Sequence, residues 1–110
     1  MAPGPGSEMI VEVGLFRIDA ARQEEFMPVA QDIRDAFARG GIEGLGSFHI
    51  AHAIEDPGRW TVLVRWGSVA DHARFVASPE GERQRSLLAR FMTEPAEVFH
   101  VAIESAAGCR

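Results

Sequence analysis

A single α+β domain, with a four-stranded antiparallel sheet and helices on one of its faces, is the fold class the sequence predicts. Three observations predict it. Four segments rich in Val, Ile, Leu, Phe and Trp alternate with helical periodicity in the order strand, helix, strand, strand, helix, strand. Gly, Pro, Asp and Ser stand between them where turns and caps are needed. At 110 residues the chain has room for one domain and one modest core.

Ile10 to Ile18 (IVEVGLFRI) carries the β-branched and aromatic residues of a first strand. Asp19 is a natural N-cap. Phe26, Val29 or Ala30, Ile33 and Phe37 then recur at helical spacing to about Arg39, where Gly40 and Gly41 offer a left-handed stop. Pro28 inside this pattern predicts a kink or a late start. Ser47 to Ile54 is a second strand, Glu55-Asp56-Pro57-Gly58 a turn, and Arg59 to Trp66 (RWTVLVRW) a third strand closing a hairpin. Ser68 and Asp71 form a capping box for a helix through Phe75 and Val76. Ser78-Pro79 opens another helix, with Leu87, Leu88 and Phe91 on one side. Pro95 ends it, and Ala96 to Ile103 is the fourth strand. This element order is that of a ferredoxin-like fold. Strands three and four carry apolar side chains on both faces, so one face takes the helices and the other a second copy of the chain. A homodimer is expected.

Composition narrows the chemistry. The chain has 16 acidic and 11 basic residues and a net charge of −5; every basic residue is Arg, and Lys, Tyr and Asn are absent, as a GC-rich bacterial genome would favour. Without Lys there is no Schiff base and no P-loop. Nothing basic enough for nucleic acid stands out, and no apolar run approaches the about 18 residues of a membrane span. The leader over residues 1–8 lacks the regions of a signal peptide and reads as disordered, ahead of a domain over 9–104 and a tail over 105–110. The single cysteine, Cys109, cannot make an internal disulfide. A cytoplasmic location is expected.

The segments MIVEVGLFRI, EDPGRWTVLVRW, WGSVADHARFVAS and EPAEVFHV, in this order and spacing, resemble the antibiotic biosynthesis monooxygenase family of the dimeric α+β barrel superfamily. The resemblance covers about Met9 to Ile103. It implies two sheets packed into a barrel and, in each subunit, a pocket between sheet and helices. Members of that family oxidise aromatic anthrones to quinones without metal or tightly bound cofactor, open haem, or oxygenate with reduced flavin. The quinone-forming members pair an Asn and a Trp on the third strand with a His on the second and an aromatic acid–base group on the next helix. Here Trp66 matches the Trp and His52 the His, whereas Val62 holds the Asn position and His72 the helix position. The haem-degrading members need an Asn on the first strand, and this chain has none.

The candidate catalytic residues are therefore His52, His72 and Trp66. His52 shares a strand face with Phe48 and Ile50, and an imidazole titrating at about 6.5 suits proton abstraction from a phenol; its other reading is a core histidine bonded to a backbone carbonyl. His72, in the first turns of a helix whose N-terminus disfavours its charged form, reads equally as a base or as a solvated residue. Trp66 would position a flat ring. Trp60, Val62, Phe75, Leu88 and Phe91 are candidate substrate-binding residues. Arg83 and Arg85 could reach a ligand carboxylate or stay solvated. His49 lies on the opposite strand face from His52, and His100 reads as structural. With no close-spaced ligand motif, no metal is expected.

The expected function is a small monooxygenase that oxidises a phenolic, anthrone or quinonoid metabolite with dioxygen after a pocket His deprotonates it. No tightly bound cofactor is expected; reduced flavin remains open. The alternative is a binding or isomerase module for a hydrophobic metabolite.

Overall fold

The computed structural model describes residues 10–105 and 107–108; the leader over 1–8 and Cys109 lie outside them. The strands are β1 (Ile10–Arg17), β2 (Leu45–His52), β3 (Arg59–Trp66) and β4 (Glu97–Ala102), and the helices are α1 (Gln23–Ala38), α2 (Val69–Val76) and α3 (Pro79–Ala89). The sheet order is β2-β3-β1-β4, and every neighbouring pair is antiparallel. This is the α+β, ferredoxin-like arrangement that the element order predicts.

The boundaries shift for local reasons. Asp19 accepts a hydrogen bond from the Ala21 amide at 2.9 Å and so caps a single 3-10 turn, Ala20–Arg22. The α-helix proper therefore starts late, at Gln23, with Pro28 inside it on an exposed face. β2 begins two residues earlier than the sequence suggests, because a bulge between Leu45 and Ser47 lets Leu45 pair with Trp66. It ends at His52, and Ile54 swings out to 89% exposure. Ser68 accepts from the Asp71 amide at 3.1 Å, but the Asp71 carboxylate turns to Arg74 at 2.8 Å instead of closing a capping box.

Alternation of side chains along the strands gives the sheet two faces. Phe16, Ile18, Trp60, Val64 and Trp66 are buried on the helix-covered face. The other face is apolar and open, with Leu63 at 41% and Phe99 at 40% exposure. Under the helices the core divides in two. At one end Phe26 stands 4.8 Å from Trp60, 5.3 Å from Phe91 and 6.0 Å from Phe16, ring centre to ring centre. At the other end Ile33, Phe37, Val64 and Trp66 form a second cluster. Among the described residues no helix is long and apolar enough to cross a membrane.

Gly44 (φ +81°) brings the chain from α1 into β2, and its carbonyl accepts from the Gly67 amide at 2.8 Å. A side chain there would run into Asp71. Glycine is thus required twice over, for backbone conformation and for space. The contact ties the entry of β2 to the first turn of α2, the turn that carries His72.

Candidate functional site

A cavity of about 590 Å³ lies between the helix-covered face of the sheet and the three helices. That volume is in the range of small-molecule sites. Gly14, Val62 and Val64 form its floor, and Phe37, Phe48, Phe75 and Leu88 its walls. Phe37 and Phe48 stack at 4.1 Å with their planes 10° apart. Gly14 makes room: a methyl group on it would lie 2.7 Å from Val62 Cγ2, closer than carbon atoms allow. Polar side chains enter from Glu12, His72, Gln84 and Arg85.

The polar corner follows from strand register and one helical turn. Glu12 on β1 pairs with Val64 on β3 and with His100 on β4, so Glu12 and His100 are cross-strand neighbours on the covered face. His72 sits one turn into α2, above that pair. The Trp66 Nε1–H donates to Glu12 Oε1 at 2.9 Å, and His72 Nε2 lies 3.1 Å from the same oxygen. His72 Nδ1 lies 2.7 Å from His100 Nε2. With His72 neutral and its hydrogen on Nε2, these contacts form one directed line: His100 Nε2–H donates to His72 Nδ1, and His72 Nε2–H donates to Glu12. The His72 ring also stacks on Trp66, with ring centres 5.4 Å apart and planes 20° apart.

Burial lowers the His72 pKa from its ordinary value; the attraction of Glu12 opposes this and the neighbouring His100 adds to it. The unfolded chain therefore binds the His72 proton more readily than the folded one. Stability tied to His72 is present above about pH 6.5 and is lost as the pH falls from there through the lower, folded-state value. Wild type is expected to melt at a lower temperature at pH 5.5 than at pH 7.5, and His72→Phe to lose part of that difference. Calorimetry at the two pH values measures it.

The candidate residues separate into two groups. Val62, Phe75 and Leu88 line the cavity with His72. Trp66 lies behind its wall, fully buried, with its indole N–H on Glu12. Trp60 and Phe91 belong to the other aromatic cluster and do not line the cavity. His52 is not brought together with Trp66. The register pairs His52 with Trp60 and Leu45 with Trp66, so His52 and Trp66 stand at opposite ends of the hairpin. His52 is exposed, its ring 5.1 Å from that of Trp60 and its Nδ1 3.3 Å from the Ala53 carbonyl. His49 is exposed on the opposite strand face, in register with Leu63. Arg83 bridges Glu80 and Asp32 on the surface, whereas Arg85 borders the cavity and donates to the Val76 carbonyl at 2.5 Å. Sequence reasoning passed over Glu12, Gln84 and the Phe37–Phe48 wall. Glu12 carried a signal: an acid with the same strand parity as Gly14 and Phe16, in an otherwise apolar run. Among the described residues no three His, Cys, Asp or Glu side chains are arranged to hold a metal ion.

The family model for antibiotic biosynthesis monooxygenase matches residues 9–83, from β1 into α3. The chain belongs to the antibiotic biosynthesis monooxygenase family. A protein of Bordetella bronchiseptica named for this family has a similar structure, with a TM-score of 0.76 and 27% identity over 87% of this chain and 97% of that one. A Nitrosomonas europaea protein named for the family superposes with a TM-score of 0.78 at 19% identity, covering 93% of this chain and 96% of its own. A conserved protein of Methanosarcina mazei Go1 gives 0.76 at 17% identity over 87% and 93%. The two at lower identity share the fold. No curated protein sequence matches this chain significantly. The family match includes Glu12, Trp66 and His72, and it ends before His100.

Proposed function

We propose that this family member is a small monooxygenase acting on a flat aromatic carbon acid or phenol, of the anthrone or hydroquinone class. The observation that carries the reading is an apolar cavity with aromatic walls that meets a carboxylate and an imidazole at one corner. The walls would bind a fused ring, and the corner would take a proton from it. An electron-rich anion in such a cavity passes one electron to dioxygen. The resulting superoxide and substrate radical combine to a hydroperoxide, which loses water to leave a carbonyl. For a methylene substrate the balance is one dioxygen consumed, one carbonyl formed and one water released. One oxygen atom ends in the carbonyl and the other in the water, which also carries away the two methylene hydrogens. Dioxygen is the oxidant and no tightly bound cofactor enters the balance. Of the two histidines expected as bases, His72 stands at this corner of the cavity, whereas His52 is exposed and outside it. The open apolar sheet face supports a second copy of the chain as partner.

Oxygen uptake on a panel of anthrones and hydroquinones, with and without reduced flavin, tests the reading. Wild type is expected to consume oxygen above the uncatalysed rate. Trp66→Phe, which removes a donor from Glu12, lowers the rate, and His52→Ala retains it. Val62 at the cavity floor, in the position where quinone-forming members carry Asn, favours the second reading, a binding or isomerase module. Aromatic ligands that raise the melting temperature without any oxygen uptake would establish that module instead.

A further inference from the structure

We propose that Glu12 is the group that takes the substrate's proton, through its Oε2 atom, while Trp66 and His72 hold its Oε1 in place. Both nitrogens of His72 are engaged, Nε2 with Glu12 and Nδ1 with His100, so a neutral His72 has no lone pair free for the cavity. Glu12 is different. Its Oε1 accepts from Trp66 and His72, and Oε2 has no hydrogen-bond partner among the described residues. Oε2 points along the cavity floor: it lies 4.0 Å from where a methyl group on Gly14 would stand, and Gly14 and Glu12 both line the cavity. The carboxylate side chain is only 12% exposed. A buried charge of this kind persists where donors compensate it, and two N–H groups on one oxygen do so. They also fix the orientation of the second oxygen, which is what a general base needs.

In the step itself a substrate C–H bond breaks and an O–H bond forms on Oε2. The electron pair stays on the substrate carbon, and no oxidant or reductant is consumed. The step therefore runs without dioxygen and can be read separately from oxidation. The inference deepens the monooxygenase reading and takes its substrate class from it.

The test is hydrogen–deuterium exchange at the methylene of anthrone in heavy water under anaerobic conditions, followed by mass spectrometry. Oxygen uptake is measured beside it in air. Wild type is expected to accelerate exchange. Glu12→Gln, which keeps the shape and an acceptor for Trp66 and His72, is expected to lower it by about 10²-fold or more while still quenching its tryptophan fluorescence with anthrone. Glu12→Asp keeps the charge one methylene further back and should recover part of the rate. Exchange by Glu12→Gln within about twofold of wild type overturns the assignment and leaves the monooxygenase reading intact. Oxygen uptake without wild-type exchange does the same. If Glu12→Gln does not hold its fold, Glu12→Asp decides, and an unchanged rate in that variant overturns the assignment. A wild type that catalyses neither exchange nor uptake overturns the monooxygenase reading and this inference together.

Discussion

Replacing His72 by Phe is expected to lower kcat on an accepted substrate by about 10²-fold and to leave KM within a few-fold. Phe preserves the stack on Trp66 and fills the same space on α2, so the cavity keeps its shape. What it removes is the Nε2–H on Glu12 Oε1 and the Nδ1 acceptor for His100. The carboxylate is left with Trp66 alone, and the His100 N–H is left facing a hydrocarbon ring. Ring binding rests on Val62, Phe37, Phe48 and Phe75, which the substitution does not touch. A loss confined to kcat is therefore the signature of an oriented carboxylate. Steady-state kinetics with oxygen uptake as readout measures the split. A variant with unchanged kcat would show that His72 is packing and no more.

Phe26→Ala is expected to cost about 3–5 kcal/mol of stability. Phe26 is fully buried and meets three aromatic rings at edge-to-face or steeply inclined angles. Removing it opens a void that Phe16, Trp60 and Phe91 cannot close without leaving their own contacts. At about 4–8 °C per kcal/mol for a domain of this size, the melting temperature should fall by at least about 12 °C. Below that temperature the rate on substrate should stay near wild type, because the polar corner draws on the other cluster. Thermal melting followed by circular dichroism gives the first quantity, and oxygen uptake the second. A cost below about 1 kcal/mol would mean that the cluster collapses onto the gap.

How much of this was legible in the sequence depends on the range of the interaction. All four strands and the helices are readable, because alternation and helical spacing are local, and β3 is read to its last residue, Arg59–Trp66. The start of β2 is not, because the bulge at Gly46 depends on its partner strand. Trp66 and His72 came from likeness to a family pattern, not from periodicity. His52 shows where that method stops. Its face is readable from parity, but its distance from Trp66 is a matter of register, and the register sets it beside Trp60. His100 is the same case with the opposite outcome: only the pairing of β1 with β4 puts it next to Glu12. Glu12 itself was within reach, since an acid on the covered face of an apolar strand needs partners wherever it is found.

The two aromatic clusters touch the same three residues, Val29, Val62 and Leu88, and are otherwise separate. This arrangement has a consequence for how such a protein can change over generations. Selection on what enters the cavity acts on Gly14, Phe37, Phe48 and Phe75, none of which is among the residues of the cluster around Phe26. At Phe48 and Phe75 a lineage can thus alter its ligand without disturbing the cluster around Phe26, whereas any side chain on Gly14 needs Val62 to change first. Drift at Phe26, Trp60 or Phe91, which do not line the cavity, in turn erodes stability without altering the chemistry. The exceptions are Phe16, Ile50, Val62, Leu88 and Met92, which line the cavity and also belong to or pack on the cluster around Phe26, and a change there would be inherited as a change in both.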